Sequence, residues 1–252
     1  NYTIQMKMAD KGYWVYDFAL PMLLLHGLHF GRTDRLIHWL NICPRKQFTT
    51  LDTHDGIGVV DVVGLLTDEE IDATQEVVDR LTADVKPYIP FPTVVRIPGK
   101  PVQRYQMMTT YYSALGCDDR AYLLARAVQF FAPGTPQVYY VGLLAGANDI
   151  EGVKHDTDPR TVNRHSFTEA EIQAAVEKPV VQKLLDLLRF RNSCPAFDGA
   201  IEIGQDSSDG TLRITWTNGD CAATLDADFK TKNFCITERQ GGSVTERFRQ
   251  EA

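Results

Sequence analysis

A chain of 252 residues with 44% apolar, 10% aromatic and 23% charged residues can bury a substantial core and sits near the averages of globular proteins, which excludes disordered and fibrous classes. Its net charge of −7 is scattered, so no basic cluster exists to neutralise phosphates, and nucleic acid is excluded as a partner. The longest apolar runs, such as Phe18–Leu25, are too short to cross a bilayer. Cys43, Cys117, Cys194, Cys221 and Cys235 form no C-x-x-C pair and suggest neither a disulfide framework nor a zinc site.

A reducing cytoplasm is therefore the expected compartment, with no membrane and no metal. The chain opens on Asn1 with no charged-then-apolar leader, and this start reads as a truncation.

Gly12–Phe18 is a short aromatic run that predicts a buried strand, and Pro21 with Met22–Leu28 predicts the helix after it. Phe48–Asp52 predicts a second strand, ending in the polar group His54-Asp55-Gly56. Asp68–Asp84 has an acidic helical pattern, and the stretch beyond it carries Pro87, Pro90, Pro92, Pro98 and Pro101. Repeated proline bars both helix and central strand, so about 85–107 predicts a long functional loop.

Apolar residues at helical spacing over 118–131, opened by Asp118 and closed by Pro133-Gly134, predict a helix. Gln137–Gly142 predicts a buried strand. Thr168 with Glu171 forms a capping box, and Pro179 opens another amphipathic helix. After Asn192 the texture changes: Ile201–Ile203, Thr211–Trp216 and Cys221–Leu225 are β-prone runs separated by Asp-Gly and Asn-Gly turns. The expected division is 1–197 and 198–252, the first with alternating strands and helices and a parallel sheet, open or closed into a barrel, the second a small antiparallel β domain.

Leu51–Gly58 is the sharpest chemical feature, an apolar strand delivering a His-Asp pair followed by two glycines. On spacing alone two readings stand: Asp55 caps a turn while His54 packs, or both serve a site at a barrel strand's C-terminal end. The adjacent tyrosine pairs Tyr111-Tyr112 and Tyr139-Tyr140 are read as core packing.

Thr53–Gly58 resembles the fourth signature region of the α-amylase superfamily. Val15–Pro21, Tyr111–Gly116, Ala125–Phe131, Pro136–Gly142, Ala145-Gly146 with Asn148-Asp149, and Asn163–His165 together resemble its sucrose phosphorylase branch, in order from about Trp14 to Phe197. That likeness implies the late portion of a (β/α)8 TIM barrel, with last strands Trp14–Asp17, Phe48–Asp52 and Gln137–Val141, then a C-terminal β domain. It implies an enzyme that transfers a glucosyl group from sucrose or a related α-glucoside to inorganic phosphate by double displacement, with no organic cofactor.

In that family Asp55 matches the carboxylate that steadies the transition state, His54 a glucose contact and Arg160 the arginine that holds the ring. The nucleophile and acid/base lie on earlier strands, so the partner implied is a missing N-terminal half of the barrel, and the chain alone is expected to be inactive and poorly soluble. A homodimer and a hydrolase or glucosyltransferase of the same superfamily stay open. Gln103, Arg104, Tyr105 and Gln106 fall on the acceptor-binding segment, where the family's Asp and its apolar neighbour are replaced by Gln103 and Arg104. An added guanidinium there implies an anionic acceptor, as in phosphorylases of sucrose 6′-phosphate or glucosylglycerate.

Overall fold

The computed structural model describes residues 2–89, 93–95, 103–204 and 210–251, with the side chains of Thr93 and Gln103 left out. Helix α1 (Tyr2–Asp10) leads into β1 (Val15–Asp17), then α2 (Leu20–Phe30), α3 (Asp34–Ile42) and β2 (Gln47–Thr49). Helix α2 is apolar over nearly all its length and correspondingly buried from Leu20 to Leu28; it ends at Gly31, whose φ of 66° closes it in the left-handed region.

After β2 the chain makes β3 (Ile57–Gly58) and α4 (Asp68–Leu81), which begins in a capping box between Thr67 and Glu70. Next come β4 (Thr93–Val95), β5 (Gln103–Met107), α5 (Tyr111–Ala114) and α6 (Asp119–Phe131). Asp118 caps α6 as its sequence requires, accepting from the amides of Arg120 and Ala121. Then follow β6 (Thr135–Pro136), α7 (Tyr140–Leu143), α8 (Ile150–His155), a 3₁₀ turn over Pro159–Asn163, α9 (Glu169–Val176) and α10 (Pro179–Ser193).

Strands β1, β2 and β6 form a parallel sheet in that order, with α2, α3 and α6 among the helices packed around it, which is the connectivity of the closing strands of an α/β barrel. The strand expected over Gln137–Gly142 is corrected. Pairing starts earlier, at Phe48 with Thr135 and Thr49 with Pro136, and ends as the Gln137 amide donates to the carbonyl of Thr49. The apolar run then folds into α7, because a short apolar segment has no period that separates strand from helix.

The proline-rich stretch is also corrected in part. β3, β5 and β4 make a small antiparallel sheet in that order, so an edge strand and a proline-free central strand replace a bare loop. Pro90, Pro92, Pro98 and Pro101 lie outside the described residues.

From Ala200 the chain builds an antiparallel meander: β7 (Ala200–Ile203), β8 (Thr211–Asn218), β9 (Cys221–Asp228), β10 (Asn233–Gln240) and β11 (Ser243–Gln250), each paired with its sequence neighbour. The last two were missed in the sequence. Six of the eight residues of β11, Ser243–Glu246 included, are exposed, so it shows almost no apolar alternation. One continuous core joins α2, α3, α6 and α10 to the inner face of the meander through Ile214, Leu225 and Ile236. Trp216 donates to the carbonyl of Phe131 at 2.8 Å, tying the meander to the end of α6. No described helix is long and apolar enough to cross a membrane.

Candidate active site

The turn that follows β2 presents the acidic group. Asp55 is partly exposed, and its amide is held by the Thr53 hydroxyl at 3.1 Å, an ST-type turn between β2 and β3. Nε of Arg160 lies 2.9 Å from Oδ1 of Asp55, and Nη2 of Arg164 lies 3.8 Å from the same oxygen. Nε2 of His54 stands 3.5 Å from Oδ2, its side chain 70% exposed. The structure thus brings Asp55, His54 and Arg160 together, with an imidazole on one side of the carboxylate and guanidinium groups on the other.

The backbone of this turn is gripped from 110 residues away. Asn163, buried at 3% exposure, donates its amide to the carbonyls of Thr53 and Asp55 at 3.1 and 2.9 Å. Arg164 donates from Nε to the carbonyl of His54 at 2.7 Å and from Nη1 to Asp158 at 3.2 Å. Asn163 and Arg164 carried no role in the sequence reading. Residue type does not betray a side chain whose partner is a backbone carbonyl, although both lie in the polar run that holds Arg160.

Beneath the turn sits a buried network. Arg126, fully buried in α6, meets Asp52 at 2.7 Å, the Tyr122 hydroxyl at 2.7 Å and Gln129 at 2.8 Å. Burial pushes the guanidinium pKa down, and Asp52 with Tyr122 pushes it further up, so the group stays charged. Gln129 donates to the carbonyls of Thr49 and Gln137, and Tyr122 to that of Gly142. This fastens α6 to the C-terminal ends of β2 and β6 and to Asp52, three residues before Asp55.

The acceptor segment is placed less directly. Gln106 packs beside Gly56: a Cβ on that glycine would stand 3.0 Å from the Cβ of Gln106 and 2.7 Å from the carbonyl oxygen of Met107. Tyr105 is exposed, and its carbonyl accepts from Val59. Arg104 is turned to α4, donating from Nη1 to Asp79 at 2.7 Å and from Nε to the carbonyl of Gln106 at 3.2 Å. The side chain of Gln103 lies outside the described residues. Of the tyrosine pairs, Tyr111 is core, while Tyr140 is exposed and donates to the carbonyl of His165. Among the described residues no group of three or more His, Cys, Asp or Glu has the geometry of a metal site.

No family model matches the chain. It is 46% identical over 242 residues to a sucrose phosphorylase of Streptococcus mutans, covering 94% of this chain and 49% of that protein. It is 42% identical to a glucosylglycerol phosphorylase of Marinobacter adhaerens, covering 96% and 50%. The crystal structure of a sucrose 6F-phosphate phosphorylase from Thermoanaerobacter thermosaccharolyticum superposes with a TM-score of 0.87 at 41% identity, over 97% of this chain and 49% of that one. An α-amylase from H. orenii, at 13% identity and a TM-score of 0.51 over 89% of this chain and 40% of that one, shares the fold alone. The chain spans about half the length of the relatives it matches. The architecture is accordingly the late portion of a (β/α)8 barrel carrying a five-stranded antiparallel sheet, and the chain belongs to the sucrose phosphorylase branch of the α-amylase superfamily.

Proposed function

We propose that this chain supplies the charge-stabilising and glucose-binding part of a retaining glucoside phosphorylase. The observation that carries the reading is the Asp55 carboxylate, presented at the end of β2 between His54 and Arg160. As the glycosidic bond breaks, positive charge builds on the anomeric carbon and ring oxygen, and a fixed anion stabilises that charge more than it stabilises neutral substrate. His54 offers a ring N–H to a glucose hydroxyl, and Arg160 orients Asp55 while binding the ring. The nucleophile and the acid/base come from the half of the relatives that this chain does not span, so the chain alone is inactive. Inorganic phosphate is the second substrate, no organic cofactor or metal takes part, and the working compartment is the cytoplasm. The division into 1–197 and 198–252 belongs to the same reading.

A neutral acceptor moiety, as in sucrose, is favoured. Arg104, the residue that would recognise an anionic acceptor, is engaged by Asp79 and the Gln106 carbonyl. Tyr105 and Gln106, beside Gly56, line the acceptor side.

The test is a polypeptide joining this chain to the upstream half that its relatives possess, assayed for glucose 1-phosphate release. Sucrose is expected to outperform sucrose 6′-phosphate and glucosylglycerate, and Arg104→Ala to leave that preference unchanged. Asp55→Asn is expected to lower kcat by roughly 10²–10³-fold, the loss typical of a preorganised charge-stabilising group. Phosphorolysis that survives Asp55→Asn would sink the reading.

A further inference from the structure

His165 sits where two helices begin. Its Nδ1 is 2.7 Å from Oδ2 of Asp149, and its Nε2 is 3.2 Å from Oε1 of Glu171. Both carboxylates are already committed as caps. Asp149 takes the Gly152 amide at the start of α8, and Glu171 takes the amide and hydroxyl of Thr168 at the start of α9.

An ionised carboxylate only accepts hydrogen bonds, whereas a neutral imidazole has one N–H and one bare lone pair. A neutral ring here would set that lone pair against a carboxylate oxygen. Only the doubly protonated ring satisfies both neighbours. Asp149 and Glu171 are the charged groups acting on it; Phe167 adds a ring packed edge-on at 4.6 Å, and Tyr140 a hydroxyl bonded to the His165 carbonyl. The hydrogen bond that the ring donates to Asp149, with the one it donates to Glu171, holds the imidazole pKa above its ordinary value against the opposing pull of partial burial.

Between these anchors runs the segment that carries Arg160 and Arg164. Its two ends are pinned together where the amide of Asp149 donates to the carbonyl of Val162 at 2.8 Å. We propose that His165 is a positioning residue: as an imidazolium it clamps the 149–165 segment to the starts of α8 and α9, and so sets where Arg160 and Arg164 meet Asp55. The role of Asp55 under the proposed function gives the clamp its purpose, but the clamp is tested without it.

The sign follows from the charges. Below the raised pKa of His165 the clamp is closed; as pH climbs through it, one contact turns repulsive and the segment loosens. The unmodified 252-residue chain is titrated by NMR, with His165→Gln used only to assign the ring signal. The ring is expected to titrate above an ordinary histidine, and Asp149→Asn and Glu171→Gln are each expected to lower that titration. Across it, the protection of the Asp149, Gly152 and Thr168 amides and of the Arg164 Nε–H is expected to fall about tenfold, while protection in β8–β10 holds. A ring that titrates at or below the ordinary value, or protection that stays flat, overturns the proposal. In the joined polypeptide the alkaline limb of kcat/KM is expected to follow the ring and move to lower pH in Asp149→Asn; a limb that does not move overturns the positioning role. Absence of phosphorolysis with the exchange result intact would discard the proposed function and leave the clamp standing.

Discussion

Asp17 is a carboxyl with no exposure at the end of β1, where it accepts from the amides of Ala19 and Leu20 and from Nε1 of Trp39. Burial pushes its pKa up to about 6, with the hydrogen bonds from Trp39, Leu20 and Ala19 opposing it. Between the unfolded value near 3.8 and the folded value near 6, the folded chain binds a proton that the unfolded chain has released, so this group's contribution to stability falls as pH rises. Comparing parent and Asp17→Asn by chemical denaturation from pH 4 to pH 7, the parent is expected to lose about 2 kcal/mol relative to the variant. A constant difference across that range would refute the assignment. In the sequence this aspartate is only the last residue of an aromatic strand, since burial is a property of what α2 and α3 lay over it. That Asp55, His54 and Arg160 come together was legible because they match a known pattern of residue types. Asn163, Arg164 and His165 fall in that pattern with no role legible there, because their partners are carbonyls and caps that only the fold brings near.

Helix α6 was readable in full, from the Asp118 cap to the Pro133-Gly134 stop, because an amphipathic period, a cap and a breaker all agreed. What the pattern did not reveal is that Arg126, at its centre, is spent inside the protein on Asp52. Removing one partner of a buried pair strands the other, so Arg126→Met is expected to cost about 3–5 kcal/mol by denaturant unfolding, with part regained in the double variant Arg126→Met with Asp52→Asn. An additive double variant would show that the two groups do not act as a pair. Gly142 belongs to the same element contact: a Cβ there would collide with Oδ2 of Asp52 and Nη2 of Arg126, so Gly142→Ala is expected to break the pair and destabilise the chain comparably. The elements least legible were β6 and β11, one because its apolar run ends in a helical turn, the other because its residues are nearly all polar and exposed.

Across the whole molecule, the parallel sheet is open: among the described residues β1 and β6 each pair with β2 alone, leaving an outer edge on both sides. Trp14 and Tyr16 stack about Phe48 on this sheet and are 50% and 39% exposed, with Phe18 beside Tyr16. Exposed aromatics beside free strand edges invite pairing between copies. The chain alone is expected to associate with rising concentration in sedimentation velocity, and Tyr16→Lys to reduce that association. A monodisperse parent at high concentration would contradict this. The grip of Asn163 and Arg164 on residues 53–55 has a temporal side. A ribosome makes the Asp55 carboxylate more than a hundred residues before the amide and guanidinium that will hold its turn, so during synthesis this turn stays unset until the later segment emerges and folds back.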